Sequence, residues 1–88
     1  MNCLKTYQLT TGEGKQNMEL TNMEIVDEYE GFRYTTYGIR VTDDNGCVIF
    51  AALDVDTRLE RFQQFVELCA KNDARVIHLP DLLEDYLA

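Results

Sequence analysis

His78 is the only histidine in the sequence, and three acids follow it closely: Asp81, Glu84 and Asp85. An imidazole among carboxylates is the donor chemistry of a divalent metal site. Such sites normally add a second His or a defined carboxylate loop, and this chain has neither. His78 reads instead as a packed or capping histidine. Its ring is placed to reach the free N–H groups at the start of a helix beginning at Pro80. No metal and no cofactor are expected.

The thiols are the next candidates. A Cys/His nucleophile needs a thiolate held by its base, and each of Cys3, Cys47 and Cys69 has only His78 to serve it. Cys69 falls on the apolar stripe of a helix and Cys47 in an apolar strand, so both read as small buried hydrophobes. There is no CxxC or Cys/His ligand spacing. Serine chemistry is excluded outright, because the chain contains no serine. Gly12-Glu13-Gly14-Lys15 lacks the spacing of a phosphate-binding loop, and Asp43-Asp44-Asn45-Gly46 lacks the alternate ligands and closing Glu of a calcium loop. With no convergent titratable groups, the chain is not expected to be an enzyme.

Charge narrows the partners. The formal net charge is −8, and residues 1–44 and 45–88 each hold eight acids and four bases. No basic patch exists to displace counterions from phosphates, so direct binding of nucleic acid is not expected. Anionic membrane is disfavoured on the same ground. No leader pattern and no long apolar run is present. These features, with three unpaired thiols, lead to the expectation of a cytoplasmic protein.

The elements that must position these groups are organised around one helix. Residues 57–72 at about 100° per residue place Leu59, Phe62, Phe65, Val66, Cys69 and Ala70 in one stripe. Glu60, Gln64, Glu67 and Lys71 lie opposite, and Leu68 is the one apolar residue off the stripe. This is a helix with one buried face. Thr57 with Glu60 fits a capping box, Asp56 is a second N-cap candidate, and Asn72-Asp73 suits a left-handed end. Glu67 and Lys71 form an i,i+4 pair.

Before the helix, residues 2–10, 18–29, 32–42 and 47–53 read as strands. Residues 11–17 are Gly-rich and polar, and read as a loop. A two-residue turn at Glu30-Gly31 would pair Tyr29 with Phe32 and Glu28 with Arg33. The turn at Asp43-Asp44-Asn45-Gly46 would pair Val41 with Ile49, Ile39 with Ala51 and Tyr37 with Leu53, so these residues would face the helix. A slip of one residue would reverse every side chain of the strand. Strand 47–53 is apolar on both faces, so Val48 and Phe50 are expected to be covered by the C-terminal tail or a second subunit. Gly38 marks a bulge or a close backbone approach. Residues 74–79 read as a short strand or extended linker, and residues 80–87 as a short helix with Pro80 at its first position.

The C-terminal half resembles a family of small uncharacterised bacterial proteins, a domain of unknown function. Tyr37, Gly38, Asp54, Asp56, Leu68, Cys69, His78, Leu79, Asp81, Glu84, Asp85, Tyr86 and Leu87 carry the resemblance, which spans residues 34–88. No activity is known for that family, so the resemblance assigns no role to any residue.

The expected fold is a single α+β domain over residues 1–88. It has a three- to four-stranded antiparallel sheet, one long helix (57–72) packed on one face, and a short C-terminal helix (80–87). The expected function is a small non-enzymatic protein–protein interaction or regulatory module, homodimeric in the simplest case. The aromatics Tyr29, Phe32, Tyr34 and Tyr37 offer an interface. Tyr34 and Phe50 are the candidate contact residues. One alternative is a small ligand bound between sheet and tail, lined by His78, Tyr86 and Tyr37. Another is an acidic decoy of a nucleic-acid-binding protein.

Overall fold

A computed structural model describes residues 1–11, 14–72 and 75–88, with Thr11 described by its backbone alone. The described residues form strands β1 (Asn2–Thr11), β2 (Gly14–Asp27), β3 (Phe32–Thr42) and β4 (Val48–Asp56), then helices α1 (Leu59–Lys71) and α2 (Leu79–Leu87). The strands make one antiparallel sheet in the order β1-β2-β3-β4. The fold is therefore α+β with four strands. The main helix has 13 residues and is shorter than the 57–72 expected.

Both helices cover one face of the sheet. Leu9, Met18, Leu20, Ile39 and Val41 from the strands close on Phe62, Val66, Cys69, Leu79 and Leu83 from the helices. Phe62 is fully buried at the centre, a burial worth about 2–3 kcal/mol. The expected stripe of α1 holds: Phe62, Val66 and Cys69 are buried, while Leu59, Phe65 and Ala70 pack on the core's margin. Leu68 is exposed.

The ends of α1 differ from expectation. Its N-cap is Arg58 and no side chain caps it. The Thr57–Glu60 capping box is absent. Asp56 acts one step earlier, where its Oδ1 accepts the Arg58 N–H at 3.0 Å. Asn72 ends the helix at φ −94°, so it does not use the left-handed conformation; Asp73 lies outside the described residues. Glu67 is taken by Lys5 at 3.5 Å and by the Tyr7 hydroxyl at 3.2 Å rather than by Lys71.

Three corrections concern the sheet. First, β2 begins at Gly14, so residues 14–17 are strand. The rest of the expected loop reduces to the end of β1 and to residues 12 and 13, which lie outside the described residues. Second, the β2–β3 turn is four residues long. β2 and β3 pair from Asn17↔Thr42 to Asp27↔Phe32, leaving residues 28–31 as the loop. Asp27 decides this: its carboxylate accepts the N–H groups of Tyr29 and Glu30, and its carbonyl accepts that of Gly31. Gly31 sits at φ +73°, where a side chain is disfavoured.

Third, β4 slips by one residue. The Asp43–Gly46 turn forms as expected, closed by Gly46 N–H to the Asp43 carbonyl at 3.0 Å, and Thr42 faces Val48. A bulge then carries Ile49 out of register. Val41 meets Phe50 and Ile39 meets Ala52. Phe50 and Ala52 therefore turn to the helices and pack on the core, while Val48, Ile49 and Ala51 are exposed. The expectation of a separate cover over Phe50 falls with this slip. Cys47, expected buried, is exposed.

At Gly38 the close approach is present. A Cβ there would overlap the Ala52 carbonyl oxygen and the backbone of Leu53. A second irregularity accompanies it, so that Tyr37 pairs with Asp56. At the other end, residues 76–78 form a 3-10 turn running directly into α2, where a strand or linker was expected. Residue 74 lies outside the described residues.

Candidate functional site

The pairing pattern leaves part of the molecule unsupported. β1 pairs with β2 only as far as Asn2↔Asn22, and β4 pairs with β3 only as far as Tyr37↔Asp56. Residues 23–35 thus leave the four-stranded body as a two-stranded arm. The molecule is elongated in consequence, 46 × 29 × 19 Å. The sequence builds the arm from strand formers on both sides of the Asp27 turn.

The arm has two different faces. On one, Tyr34 lies opposite Ile25, and the rings of Phe32 and Tyr34 stack at 5.9 Å. On the other, Arg33 meets Glu24 at 3.5 Å beside Val26. Tyr29 stands fully exposed at the tip, and Val26, Phe32 and Tyr34 are 50%, 46% and 36% exposed. These apolar surfaces are costly to leave in water, because nothing in the fold requires them there. Acids surround them: Glu24, Asp27, Glu28 and Glu30 against the single base Arg33.

A concavity opens between the helices. Phe65, Leu68, Cys69, Asn72, His78 and Leu82 line a mainly apolar cleft of about 350 Å³. Cys69 forms part of its wall, and burial pushes this thiol up from its ordinary pKa. His78 is exposed and serves as N-cap of α2 through its backbone, with no side-chain capping bond. The imidazole cap expected from the sequence is therefore not made. No group of three or more His, Cys, Asp or Glu among the described residues could hold a metal ion.

Tyr86 and Tyr37, expected beside His78, are not among the residues lining this cleft. Tyr86 packs on Phe65 at 4.6 Å and Phe62 at 5.7 Å. Its hydroxyl donates to Asp56 Oδ2 at 2.5 Å. Burial, then the bond and charge of Asp56, push its pKa up to about 12. Burial alone would raise Asp56. The bonds from Tyr86 and from the Arg58 N–H and guanidinium outweigh it and hold the carboxyl below its usual value. Nearby, the buried Thr36 hydroxyl donates to Asp54 Oδ1 at 2.6 Å. Gly38, Asp54, Asp56, Leu79 and Tyr86 thus occupy structural positions: a close backbone approach, a joint between sheet and last helix, and the core. Tyr37 packs on the core's margin.

No protein-family model, curated protein or solved structure matches the chain.

Of the residues singled out from the sequence, Tyr34 joins Tyr29 and Phe32 on the arm, His78 lines the cleft, and Phe50, Tyr37 and Tyr86 belong to the packing. Sequence reading missed Val26 and Ile25 as arm residues. Their alternation is that of any half-buried strand. β2 and β3 run 14 and 11 residues, against 10 and 9 for their neighbours, a difference that marks the arm only once the strand ends are known.

Proposed function

We propose that the protein is a non-enzymatic interaction module that presents the arm, residues 23–35, to a basic surface on a partner protein. The observation carrying this reading is the arm's combination of exposed Tyr29, Phe32, Tyr34 and Val26 with four acids and one base. Aromatic anchors ringed by one sign of charge suit a contact in which the rings supply affinity and the charges steer encounter. An isolated two-stranded ribbon is marginal in water, so a partner that covers it also stabilises it.

The reading places the protein in the cytoplasm. Three free thiols, two of them exposed, suit a reducing compartment. No helix among the described residues is long and apolar enough to cross a membrane. The resemblance to an uncharacterised bacterial family fits a small regulatory component but supplies no partner.

The test is co-purification from the cells that make the protein, comparing the wild type with a Phe32→Ser/Tyr34→Ser variant. A partner with a basic face should be retained by the wild type, released by the variant and weakened by salt. Retention of the same proteins by both would overturn the reading. A nucleic-acid-binding protein recovered this way would make the arm an acidic decoy.

A second reading rests on the cleft between α1 and α2. Its volume is at the lower end of the range that holds small ligands, and its polar rim is His78 and Asn72. A small apolar ligand with one hydrogen-bonding group would fit. Native mass spectrometry of the protein from its own cells would show it as added mass, and a Leu82→Trp variant should lose it.

A further inference from the structure

Among the described residues no further strand lies beyond β1 or β4, and these two edges are unlike. β4 is broken by bulges near Ile49 and near Leu53, and it carries Asp54 and Asp56. Bulges and charge are the usual means of blunting an edge. β1 has one irregularity, at Leu4, and then pairs with β2 in unbroken register from Lys5 to Thr11. In a chain of net charge −8, residues 1–11 contain no acid at all and one base, Lys5. Self-association of so acidic a molecule is opposed wherever acids face acids. β1 itself brings no acid to its edge, and Glu67 of α1, the carboxylate that reaches it, is paired with Lys5 and accepts from the Tyr7 hydroxyl.

We infer that β1 is a self-pairing edge, joining two copies of the chain antiparallel into one eight-stranded sheet. The register that overlaps the unbroken segment with itself is centred on Gln8. It sets Tyr7 of each copy opposite Leu9 of the other, Thr6 opposite Thr10, and Gln8 opposite Gln8. Tyr7 and Leu9 belong to the helix-covered face, where Leu9 is buried and Tyr7 packs on the core. The new pairs therefore extend the apolar row already formed by Met18 and Val41. Thr6 and Gln8 lie on the open face and are exposed. Aromatic–aliphatic pairs are favourable across a strand pair. Lys5 meets no like charge in this register, and the arms point away from the joint. The inference is independent of what the arm binds.

Gln8 supplies the test, because the two-fold axis places it against its own copy. Sedimentation or native mass spectrometry over a concentration series should show a wild-type dimer. Gln8→Glu and Gln8→Lys should each weaken it by about tenfold or more through like-charge contact, with thermal midpoints near wild type at concentrations where the wild type is dissociated, because the side chain is exposed. Mixing the two variants should restore the dimer as a mixed species. Hydrogen exchange of the wild type should show amides 5–10 protected as concentration rises. A wild type that stays monomeric overturns the inference. So does a dimer that both Gln8 variants leave intact, or one that only Phe32→Ser/Tyr34→Ser abolishes, which would move the interface to the arm.

Discussion

The Tyr86 hydroxyl donates to Asp56 Oδ2 at 2.5 Å, and so the last turn of α2 is fastened to the last residue of β4. The two residues are 30 apart in sequence. Removing the hydroxyl with Tyr86→Phe keeps the ring on Phe62 and Phe65 but leaves the carboxylate without that donor. A hydrogen bond to a charged group is worth about 1.5–3 kcal/mol, and a loss of that size is expected in urea unfolding. The pH dependence adds a sharper check. Asp56 is held below its ordinary value, so its contribution is complete above the unfolded aspartate range and is lost as pH falls through the lowered folded value. Tyr86 runs the other way. Its contribution is complete below the ordinary value of 10.0 and is lost as pH rises through about 12. Tyr86→Phe should flatten both flanks of the stability profile, and an unchanged profile would contradict the pairing.

Gly38 makes a prediction of opposite character, about space rather than polarity. Its missing side chain is where the backbone of Ala52 and Leu53 passes. Gly38→Ala must push β4 off β3 beside the core residue Ile39. A cost of about 3 kcal/mol is expected, at the upper end for overpacking. Gly31→Ala is the control. There a Cβ meets nothing within 4 Å, and only the positive φ of 73° opposes it, about 1 kcal/mol. Equal losses in the two variants would mean that the crowding at Gly38 is relieved without strain.

These two sites also show what the sequence made legible. Gly38 as a close approach, the Asp43–Gly46 turn, the stripe of α1 and the helix at Pro80 each follow from one residue type in one local setting. The partners of Gly38 and the face of Phe50 do not. Phe50 faces the helices because a single residue, Ile49, leaves the register after a turn that forms as expected, and nothing local to Ile49 marks it for that. Both faces of strand 47–53 are apolar, so the hydrophobic pattern does not choose between registers. The β2–β3 turn differs in another way. Its shift is two residues, which keeps every side chain on its expected face and changes only the opposite numbers. The capping box at Thr57 lost to Asp56 because the strand runs on to Asp56, leaving Thr57 no place at the N-cap. The arm required knowing where β1 and β4 stop, which is a tertiary fact.

The arm should be separable from the stability of the body. Apart from Met23, which meets Thr36 at the arm's base, residues 23–35 pair only with one another, and the core residues lie elsewhere. Amides of residues 23–35 should exchange with solvent by local opening, at free energies well below those of residues 16–22 and 37–42. Phe32→Ser/Tyr34→Ser should lower global stability by no more than about 1 kcal/mol, the ordinary size for a mutation outside the core. Coincident exchange of arm and body amides, with loss of cooperative unfolding in the variant, would show that the arm belongs to the folding unit.

The thiols give the last prediction, which reports on α1 and the cleft together. Cys3 and Cys47 are exposed, and Cys69 is 6% exposed. Burial pushes the Cys69 thiol up, which removes thiolate, and thiolate is the reactive form. A thiol reagent should therefore modify Cys3 and Cys47 in a fast phase and Cys69 in a slow one. Because Cys69 packs with Phe62 and Val66 on the buried face of α1, the slow phase should follow the opening of that helix and accelerate with denaturant in step with global unfolding. Cys69→Ala should abolish it and cost about 1 kcal/mol, a small core truncation. A small apolar ligand in the cleft would slow the same phase further. Rapid modification of Cys69 in native conditions would mean that the cleft, rather than unfolding, admits the reagent.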